Sequence, residues 1–279
     1  MKRTALLRGV RYAYQVISGD EPCLFLHGFT GSGDVFEPVV ERLARLGCRP
    51  LAILPDLLGH GQSETPPDPS RLSIQETVLD IDALLDHLGI STCRLFGYSM
   101  GGRVALAYAL ARPGRVRALV LESASPGLDD PAEREARRRE DDQLADEIEL
   151  RGLDWFIPHW ERRPIFATHA ALPDEEQARQ RAIRLSGSAQ GYAQSLRGMG
   201  TGRQPSYWNE LSRLAMPVLL VTGSHDVKFT QIAQRMRSRI PTAAHAVIDG
   251  AGHTPHLEQP DRFANAILPM LCPSRGRAN

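Results

Sequence analysis

The sequence lacks an excess of charge of either sign. Its 279 residues include 33 lysines and arginines and 33 aspartates and glutamates, so the formal net charge is zero. A balanced chain gains no general electrostatic attraction to nucleic acid or to an anionic membrane. We therefore expect neither as a partner.

Long hydrophobic runs are also missing. No stretch approaches the roughly 20 apolar residues that cross a bilayer. The short apolar run near the N-terminus is interrupted by Arg8 and Arg11, which makes it too short for the hydrophobic part of a secretory signal. We expect no membrane insertion and a cytoplasmic location.

Cysteine is scarce, with four widely separated residues at Cys23, Cys48, Cys93 and Cys272. No pair has the C-x-x-C spacing of a zinc or redox site, so we predict no metal and no cofactor. Cys23 and Cys93 lie in apolar, strand-like runs and are predicted to be buried thiols. For a cytoplasmic protein we expect reduced cysteines.

The most informative segment that is present surrounds one serine. An apolar run at 94–96 predicts a strand, and residues 104–111 predict a helix. Between them, Gly97 and Gly101 flank Ser99 in the G-x-S-x-G pattern. A sharp strand-to-helix turn of this kind exposes a nucleophilic serine hydroxyl, and only small residues fit beside it.

The rest of the chain alternates strand-like and helical patterns. Apolar runs predict further strands at 23–26, 51–54, 118–121, 217–222 and 245–248. Amphipathic patterns predict helices at 73–88, 230–239 and 260–271. Strands that are apolar on both faces, alternating with helices, indicate an α/β fold with a mostly parallel sheet covered on both sides.

One region departs from this alternation. Residues 126–206 show helical patterns and no convincing strand. We interpret this region as a helical cap inserted into a core formed by residues 1–125 and 207–279.

A reactive serine needs a base, and the base needs an orienting acid. In an open parallel sheet such side chains gather at the carboxyl ends of strands. Asp226 follows the strand at 217–222, and His253 follows the strand at 245–248 through small residues. The order Ser99, Asp226, His253 is the one that G-x-S-x-G hydrolases use.

Other residues could serve as the base or as the orienting acid. His256 lies three residues after His253, His225 adjoins Asp226, and Asp249 is a second acid near the histidine loop. His253 is preferred because the loop before it can bend back toward the serine. Asp226 is preferred because Asp249 would have to double back.

Two backbone N–H groups are candidates for an oxyanion hole. Met100 directly follows the serine, and Phe29 lies in the loop that ends the strand at 23–26. The neighbouring His27 and His60 are interpreted as structural residues.

These segments resemble the α/β-hydrolase superfamily along nearly the whole chain. Within it, the chain is similar to the 2-succinyl-6-hydroxy-2,4-cyclohexadiene-1-carboxylate synthase family of menaquinone biosynthesis. The segments that carry the resemblance are LHGFTGSG at 26–33, PDLLGHGQS at 55–63, GYSMGGR at 97–103, ESASPGL at 122–128, HWERRPIFA at 159–167, LRGMGTGRQPSYW at 196–208, VKF at 227–229 and GHTPHLEQP at 252–260.

The resemblance implies a lyase rather than a hydrolase. Members eliminate pyruvate from 2-succinyl-5-enolpyruvyl-6-hydroxy-3-cyclohexene-1-carboxylate, a substrate with three carboxylates. The serine would remove the ring proton next to the succinyl ketone, and the oxyanion hole would hold the enolate. The alternatives are a serine hydrolase of small esters, thioesters or carbon–carbon bonds, and a non-catalytic receptor with the same fold.

Three carboxylates require cationic partners. Arg103 lies one helical turn after Ser99, where a plain esterase has little use for a guanidinium. The resemblance implies further substrate contacts from two arginines and two aromatic residues, namely Arg137, Arg184, Tyr98 and Trp160. Arg134, Arg138 and Arg139 share the helix of Arg137, so the choice within that run stays open.

Overall fold

The computed structural model describes residues 2–272, which form one eight-stranded sheet with helices on both faces. The strands are β1 (Arg3–Leu7), β2 (Val10–Ile17), β3 (Pro22–Leu26), β4 (Leu51–Pro55), β5 (Cys93–Tyr98), β6 (Val116–Glu122), β7 (Val218–Gly223) and β8 (Ala243–Ile248). Their order across the sheet is β1-β2-β4-β3-β5-β6-β7-β8. Strands β3 to β8 pair in parallel, while β2 is antiparallel to both β1 and β4. The predicted mostly parallel sheet is confirmed.

The first two strands were not predicted. They form a hairpin whose turn places Arg8 at φ 49° and Gly9 at φ 82°, the positive angles that two-residue hairpin turns favour. β1 alternates exposed and buried residues at the edge of the sheet, so its apolar signal is weak.

The helices within residues 2–272 are α1 (Glu37–Arg45), α2 (Ile74–His87), α3 (Met100–Ala111), α4 (Pro131–Glu161), α5 (Asp174–Leu185), α6 (Ala189–Met199), α7 (Val227–Arg237), α8 (Pro255–Glu258) and α9 (Pro260–Leu271). α4 is interrupted at Gly152, whose φ of 74° is not helical. Two helices begin earlier than predicted. α3 starts immediately after Ser99, and α7 starts immediately after Asp226, which caps it by accepting from the Phe229 N–H.

Two apolar layers hold the sheet between these helices. On one face, α2 and α3 pack against strands through residues such as Leu85, Leu95 and Leu106. On the other face, α1 and α9 pack through residues such as Leu43 and Phe263. Burial of this kind stabilises by about 25 cal/mol per Å² of apolar surface removed from water.

Three α-helices and no strand lie between β6 and β7, in a segment that is described throughout. Helices α4 and α6 share a small core of their own, which includes Ile148, Phe156 and Tyr192. The segment between β6 and β7 therefore contains helices and no strand, as predicted. The domain limits at residues 126 and 206 stay a prediction.

The expectation that all four cysteines are reduced is wrong for one pair. Cys48 and Cys272 form a disulfide, with Cα atoms 5.7 Å apart. They follow α1 and α9, which pack on the same face of the sheet, so the fold joins residues that the sequence separates by 224 positions. Cys23 and Cys93 are buried thiols as predicted, and burial raises the pKa of each to about 12.

None of the helices found in residues 2–272 combines the length and the hydrophobicity of a membrane span. The cytoplasmic location stays a prediction.

Reduction of the disulfide should destabilise the protein. A cross-link that closes so long a loop restricts the unfolded chain, and its loss should lower the free energy of unfolding by about 2–4 kcal/mol. We expect dithiothreitol to lower the melting temperature by roughly 5–10 °C in a thermal unfolding experiment. The Cys48→Ser variant should have the melting temperature of the reduced protein, and dithiothreitol should not change it. An identical melting temperature with and without reductant would contradict the pairing.

Candidate active site

Ser99 lies at a strained turn between β5 and α3. Its backbone adopts φ 49° and ψ −108°, a conformation that non-glycine residues rarely take. The Ser99 N–H donates to the Glu122 carbonyl at 2.9 Å, which ties the turn to β6. A Cβ at Gly97 would collide with Gly101, and a Cβ at Gly101 would collide with the Leu26 carbonyl. Both glycines are therefore required by space, as the sequence pattern predicts.

The structure brings Ser99, His253 and Asp226 together. The His253 Nε2 lies 3.1 Å from the Ser99 Oγ, and its Nδ1 lies 2.6 Å from the Asp226 Oδ2. Because a carboxylate can only accept, Nδ1 carries the proton and Nε2 is left to accept from the serine hydroxyl. Asp226 is held in place because its other oxygen accepts from the Phe229 N–H at 3.2 Å.

None of the rival residues reaches Ser99. His256 is buried, and its Nδ1 lies 2.9 Å from both carboxylate oxygens of Glu122. His225 is exposed. Asp249 is at the surface, where it accepts from Arg262 at 3.0 Å.

The two residues that carry the candidate oxyanion donors line the same cavity. Phe29, Met100, Ser99 and His253 all line one cavity of about 1030 Å³. Neither the Phe29 nor the Met100 N–H donates to a backbone carbonyl of the described residues. Both groups are thus available to a ligand.

Two buried histidines support the loop that carries Phe29. The His27 Nε2 accepts from the Leu57 N–H at 2.9 Å, so its Nδ1 donates to the Gly28 carbonyl at 2.8 Å. His60 lies beside it, with ring centroids 5.1 Å apart and Nδ1 3.1 Å from the Leu58 carbonyl. Burial lowers the pKa of His27 to about 4 and that of His60 to about 3. Both rings are therefore neutral at pH 7.

The cavity wall is rich in cations. Its lining includes five basic residues, Arg103, Arg137, Arg163, Lys228 and Arg235, and three acidic residues, Asp129, Asp130 and Glu133. The acidic residues cluster at the N-terminus of α4, where Asp130 caps the helix. Within residues 2–272, no cluster of histidine, cysteine, aspartate or glutamate side chains is arranged to hold a metal ion.

Arg103 is the most deeply buried of these cations. Its side chain reaches the cavity from α3, and the residue is 8% exposed. No carboxylate of the described residues lies within 4.0 Å of its guanidinium. Instead its Nη1 donates to the Met199 carbonyl at 2.7 Å and to the Gln204 Oε1 at 3.0 Å. Burial lowers the pKa of Arg103 to about 10, yet it stays charged at pH 7.

Two of the other implied substrate residues line the cavity as expected. Arg137 does so while its Nε donates to Asp141 at 2.8 Å. Trp160 also lines it, packed edge-on against Phe29 with ring centroids 5.1 Å apart.

Arg184 and Tyr98 do not line the main cavity, contrary to what the resemblance implies. Arg184 donates to Glu161 at 3.1 Å and lies 5.8 Å from the Phe166 ring. The Tyr98 ring packs 4.9 Å from His256. Both residues line a separate small void, which shares Phe166 as a wall with the main cavity. The Tyr98 ring also lies 5.6 Å from the His253 ring, measured between centroids, and the substrate contacts of Tyr98 and Arg184 stay a prediction.

Arg163 lines the cavity but was not singled out by the sequence. It is half-buried, and its guanidinium lies 5.0 Å from the Trp160 ring centroid, with no carboxylate of the described residues within 4.0 Å. Burial lowers the pKa of Arg163, and the positive charge of Arg137 lowers it further. Only its place in the HWERRPIFA segment could have indicated it, and that segment does not distinguish Arg163 from the exposed Arg162.

Comparison with known proteins agrees with the fold. The family described as alpha/beta hydrolase fold matches residues 21–260. The chain is therefore an α/β-hydrolase-fold protein.

Closer relatives define the family within that fold. A Bacillus subtilis (strain 168) protein provisionally named 2-succinyl-6-hydroxy-2,4-cyclohexadiene-1-carboxylate synthase is 40% identical, over 94% of this chain and 95% of its own. The synthase of that name from Yersinia pestis (strain Pestoides F) is 31% identical, over 90% and 87%. The structure of MenH from S. aureus aligns with TM-score 0.86 and 35% identity, over 93% and 97%. The chain belongs to the 2-succinyl-6-hydroxy-2,4-cyclohexadiene-1-carboxylate synthase family.

The two neutral histidines make the stability depend on pH. Between pH 6.5 and about 4, the unfolded chain binds protons at His27 and His60 that the folded protein does not bind. The free energy of unfolding should therefore fall as pH falls through this window, by about 1 kcal/mol per histidine for each pH unit.

Thermal unfolding at several pH values measures this dependence. We expect His60→Gln to reduce the slope of melting temperature against pH below pH 6.5. His87→Gln, which changes an exposed histidine, should leave the slope unchanged. An unaltered slope in His60→Gln would contradict the neutral, buried state of that ring.

Proposed function

We propose that this protein eliminates pyruvate from 2-succinyl-5-enolpyruvyl-6-hydroxy-3-cyclohexene-1-carboxylate to give 2-succinyl-6-hydroxy-2,4-cyclohexadiene-1-carboxylate, a step of menaquinone biosynthesis. The observation that carries the proposal is a buried arginine, Arg103, which has no carboxylate partner in the described part of the chain and lines the same cavity as the serine. An enzyme that acts on neutral esters has no need of that charge. The relatives' names support the same reaction.

Ser99 acts as the base for the ring proton. Its hydroxyl gives its proton to the His253 Nε2, and the oxygen removes the proton from the ring carbon next to the succinyl ketone. Asp226 fixes the proton on Nδ1 and stabilises the positive imidazolium. The 3.1 Å contact between the Ser99 Oγ and the His253 Nε2 is within the range for the first transfer, and the 2.6 Å contact is the hydrogen bond by which Asp226 keeps the proton on Nδ1.

The electrons from that carbon–hydrogen bond move first onto the ketone. The backbone N–H groups of Phe29 and Met100 then donate to the enolate oxygen and stabilise it. Collapse of the enolate forms one ring double bond, shifts the existing one, and breaks the bond to the enolpyruvyl oxygen. The released enolpyruvate takes up a proton and becomes pyruvate, so the ring gains a conjugated diene.

The cations of the cavity hold the substrate in position. Three carboxylates enter a space where Arg137 has an acidic partner, while Arg103 and Arg163 have none among residues 2–272. Charge-assisted hydrogen bonds to guanidinium groups are stronger than those between neutral groups, particularly where water is excluded. These contacts fix the ring proton near Ser99.

Pyruvate release tests the proposal directly. We expect the purified protein to release pyruvate from the enolpyruvyl substrate, measured through the oxidation of NADH by lactate dehydrogenase. Ser99→Ala should lower kcat by about 10³-fold or more with little change in substrate affinity, because the hydroxyl acts mainly in the transition state. Strong turnover of p-nitrophenyl esters without pyruvate would contradict the proposal and indicate a hydrolase.

Arg163 provides a test of the cavity charge that has a matched control. Arg163→Gln should raise KM about fivefold with a smaller effect on kcat, because it removes a cation that has no carboxylate partner in residues 2–272. Arg162→Gln removes an equal charge from the adjacent, exposed position, which lies outside the cavity. Steady-state kinetics of the two variants should therefore differ. Equal KM values would show that Arg163 does not contact the substrate.

A further inference from the structure

Among residues 2–272, Arg103 finds hydrogen-bond partners for only one of its three guanidinium nitrogens. Its Nη1 donates to the Met199 carbonyl and to the Gln204 side chain, at 2.7 and 3.0 Å. The Nε and Nη2 atoms donate to no group of the described residues, and neither is among the buried polar atoms without a partner. These two atoms form one edge of the guanidinium, the edge that binds a carboxylate through two parallel hydrogen bonds.

Both acceptors on Nη1 are electrically neutral. A carboxylate in the place of Gln204 would bind Arg103 more tightly, but it would also cancel the charge that a substrate needs. A backbone carbonyl and an amide oxygen fix the orientation of the guanidinium while they leave its full positive charge in the cavity.

Gln204 is itself held firmly. The residue is 1% exposed, and its backbone N–H donates to the Gly200 carbonyl at 3.2 Å. The loop is anchored further because the Gly202 N–H donates to Asp141 at 3.3 Å. The orientation of the Gln204 amide is also determined, since its NH₂ group cannot accept from Arg103 and only Oε1 can face it.

The buried amide of Gln204 destabilises the folded protein, and packing alone does not explain why an amide is present there. Its Nε2 is buried and donates no hydrogen bond to any group in residues 2–272. An apolar side chain of the same size would avoid this unpaired donor. The contact that the amide does make is the one to Arg103.

We propose that Gln204 is a positioning residue, which aims the Nε–Nη2 edge of Arg103 at a substrate carboxylate without neutralising the guanidinium. This inference rests on the proposed function for the identity of the substrate. Gln204 does not contact the substrate, and it acts through Arg103.

The test compares two substitutions at one position. Gln204→Glu keeps an acceptor for Nη1 but adds a negative charge, and Gln204→Met keeps the approximate size but removes the acceptor. The dissociation constant Kd of the enolpyruvyl substrate is measured by calorimetry in a Ser99→Ala background, so that no turnover occurs. Melting temperatures report whether each variant folds.

We expect Gln204→Glu to raise Kd about tenfold and Gln204→Met to raise it about threefold. With Arg103→Gln also present, Gln204→Glu should change Kd less than twofold, because the two side chains act as one unit. If Gln204 had a purely structural role, Gln204→Glu would leave Kd unchanged, because the glutamate still accepts a hydrogen bond from Arg103.

Several outcomes would overturn the inference. The inference is wrong if Gln204→Glu folds and binds the enolpyruvyl substrate with the same Kd as its Ser99→Ala parent. It is also wrong if Gln204→Met folds and shows an unchanged Kd. If Gln204→Glu does not fold, the comparison of Gln204→Met with its parent decides alone. Substrate binding without pyruvate release by the unsubstituted protein would overturn the proposed function and leave the Gln204 comparison intact.

Discussion

The turn at Ser99 depends on close approach between β5, α3 and the end of β3. Gly97 and Gly101 permit that approach, and the hydrogen bond from the Ser99 N–H to Glu122 fixes the turn against β6. A serine at φ 49° is unfavourable in isolation, so the surrounding sheet must hold it there. Once it is held, the parallel order of β6, β7 and β8 brings Asp226 and His253 to the same edge.

The second constraint is the burial of the positive charge of Arg103. Most arginines of the chain are paired with carboxylates, as Arg184 is with Glu161 and Arg137 is with Asp141. Arg103 is more buried than Arg137, yet its partners are neutral. An unpaired buried charge is costly to the folded protein, and this cost is consistent with a site that is completed by an anionic ligand.

Much of the fold could be predicted because its signals are local. The glycines around Ser99, the apolar strands and the amphipathic helices each follow from short-range pattern, and α9 has the predicted bounds. The β1–β2 hairpin was missed because β1 is a short edge strand in which three of five residues are exposed, and because polar residues interrupt the apolar pattern of β2. The Cys48–Cys272 disulfide was missed because only the packing of α1 and α9 on one sheet face brings these residues together.

The site could be predicted less completely than the fold. Ser99, Asp226 and His253 follow strand ends, which the sequence marks, and the structure does bring them together. Arg103 follows from its spacing to Ser99, but the arginines between β6 and β7 follow no such rule, because their positions depend on how those helices lie over the sheet. Arg184 and Arg163 are separated by Phe166 and the end of α4, so that one faces Glu161 and the other the cavity, a difference that no local pattern encodes.

A crystal structure of the Ser99→Ala variant with bound enolpyruvyl substrate tests the central claim most directly. The account predicts a substrate carboxylate within about 3 Å of both Nε and Nη2 of Arg103, and the ring carbon next to the ketone facing the missing hydroxyl. A substrate whose carboxylates point away from Arg103, or whose ketone lies far from the Phe29 and Met100 N–H groups, would contradict it.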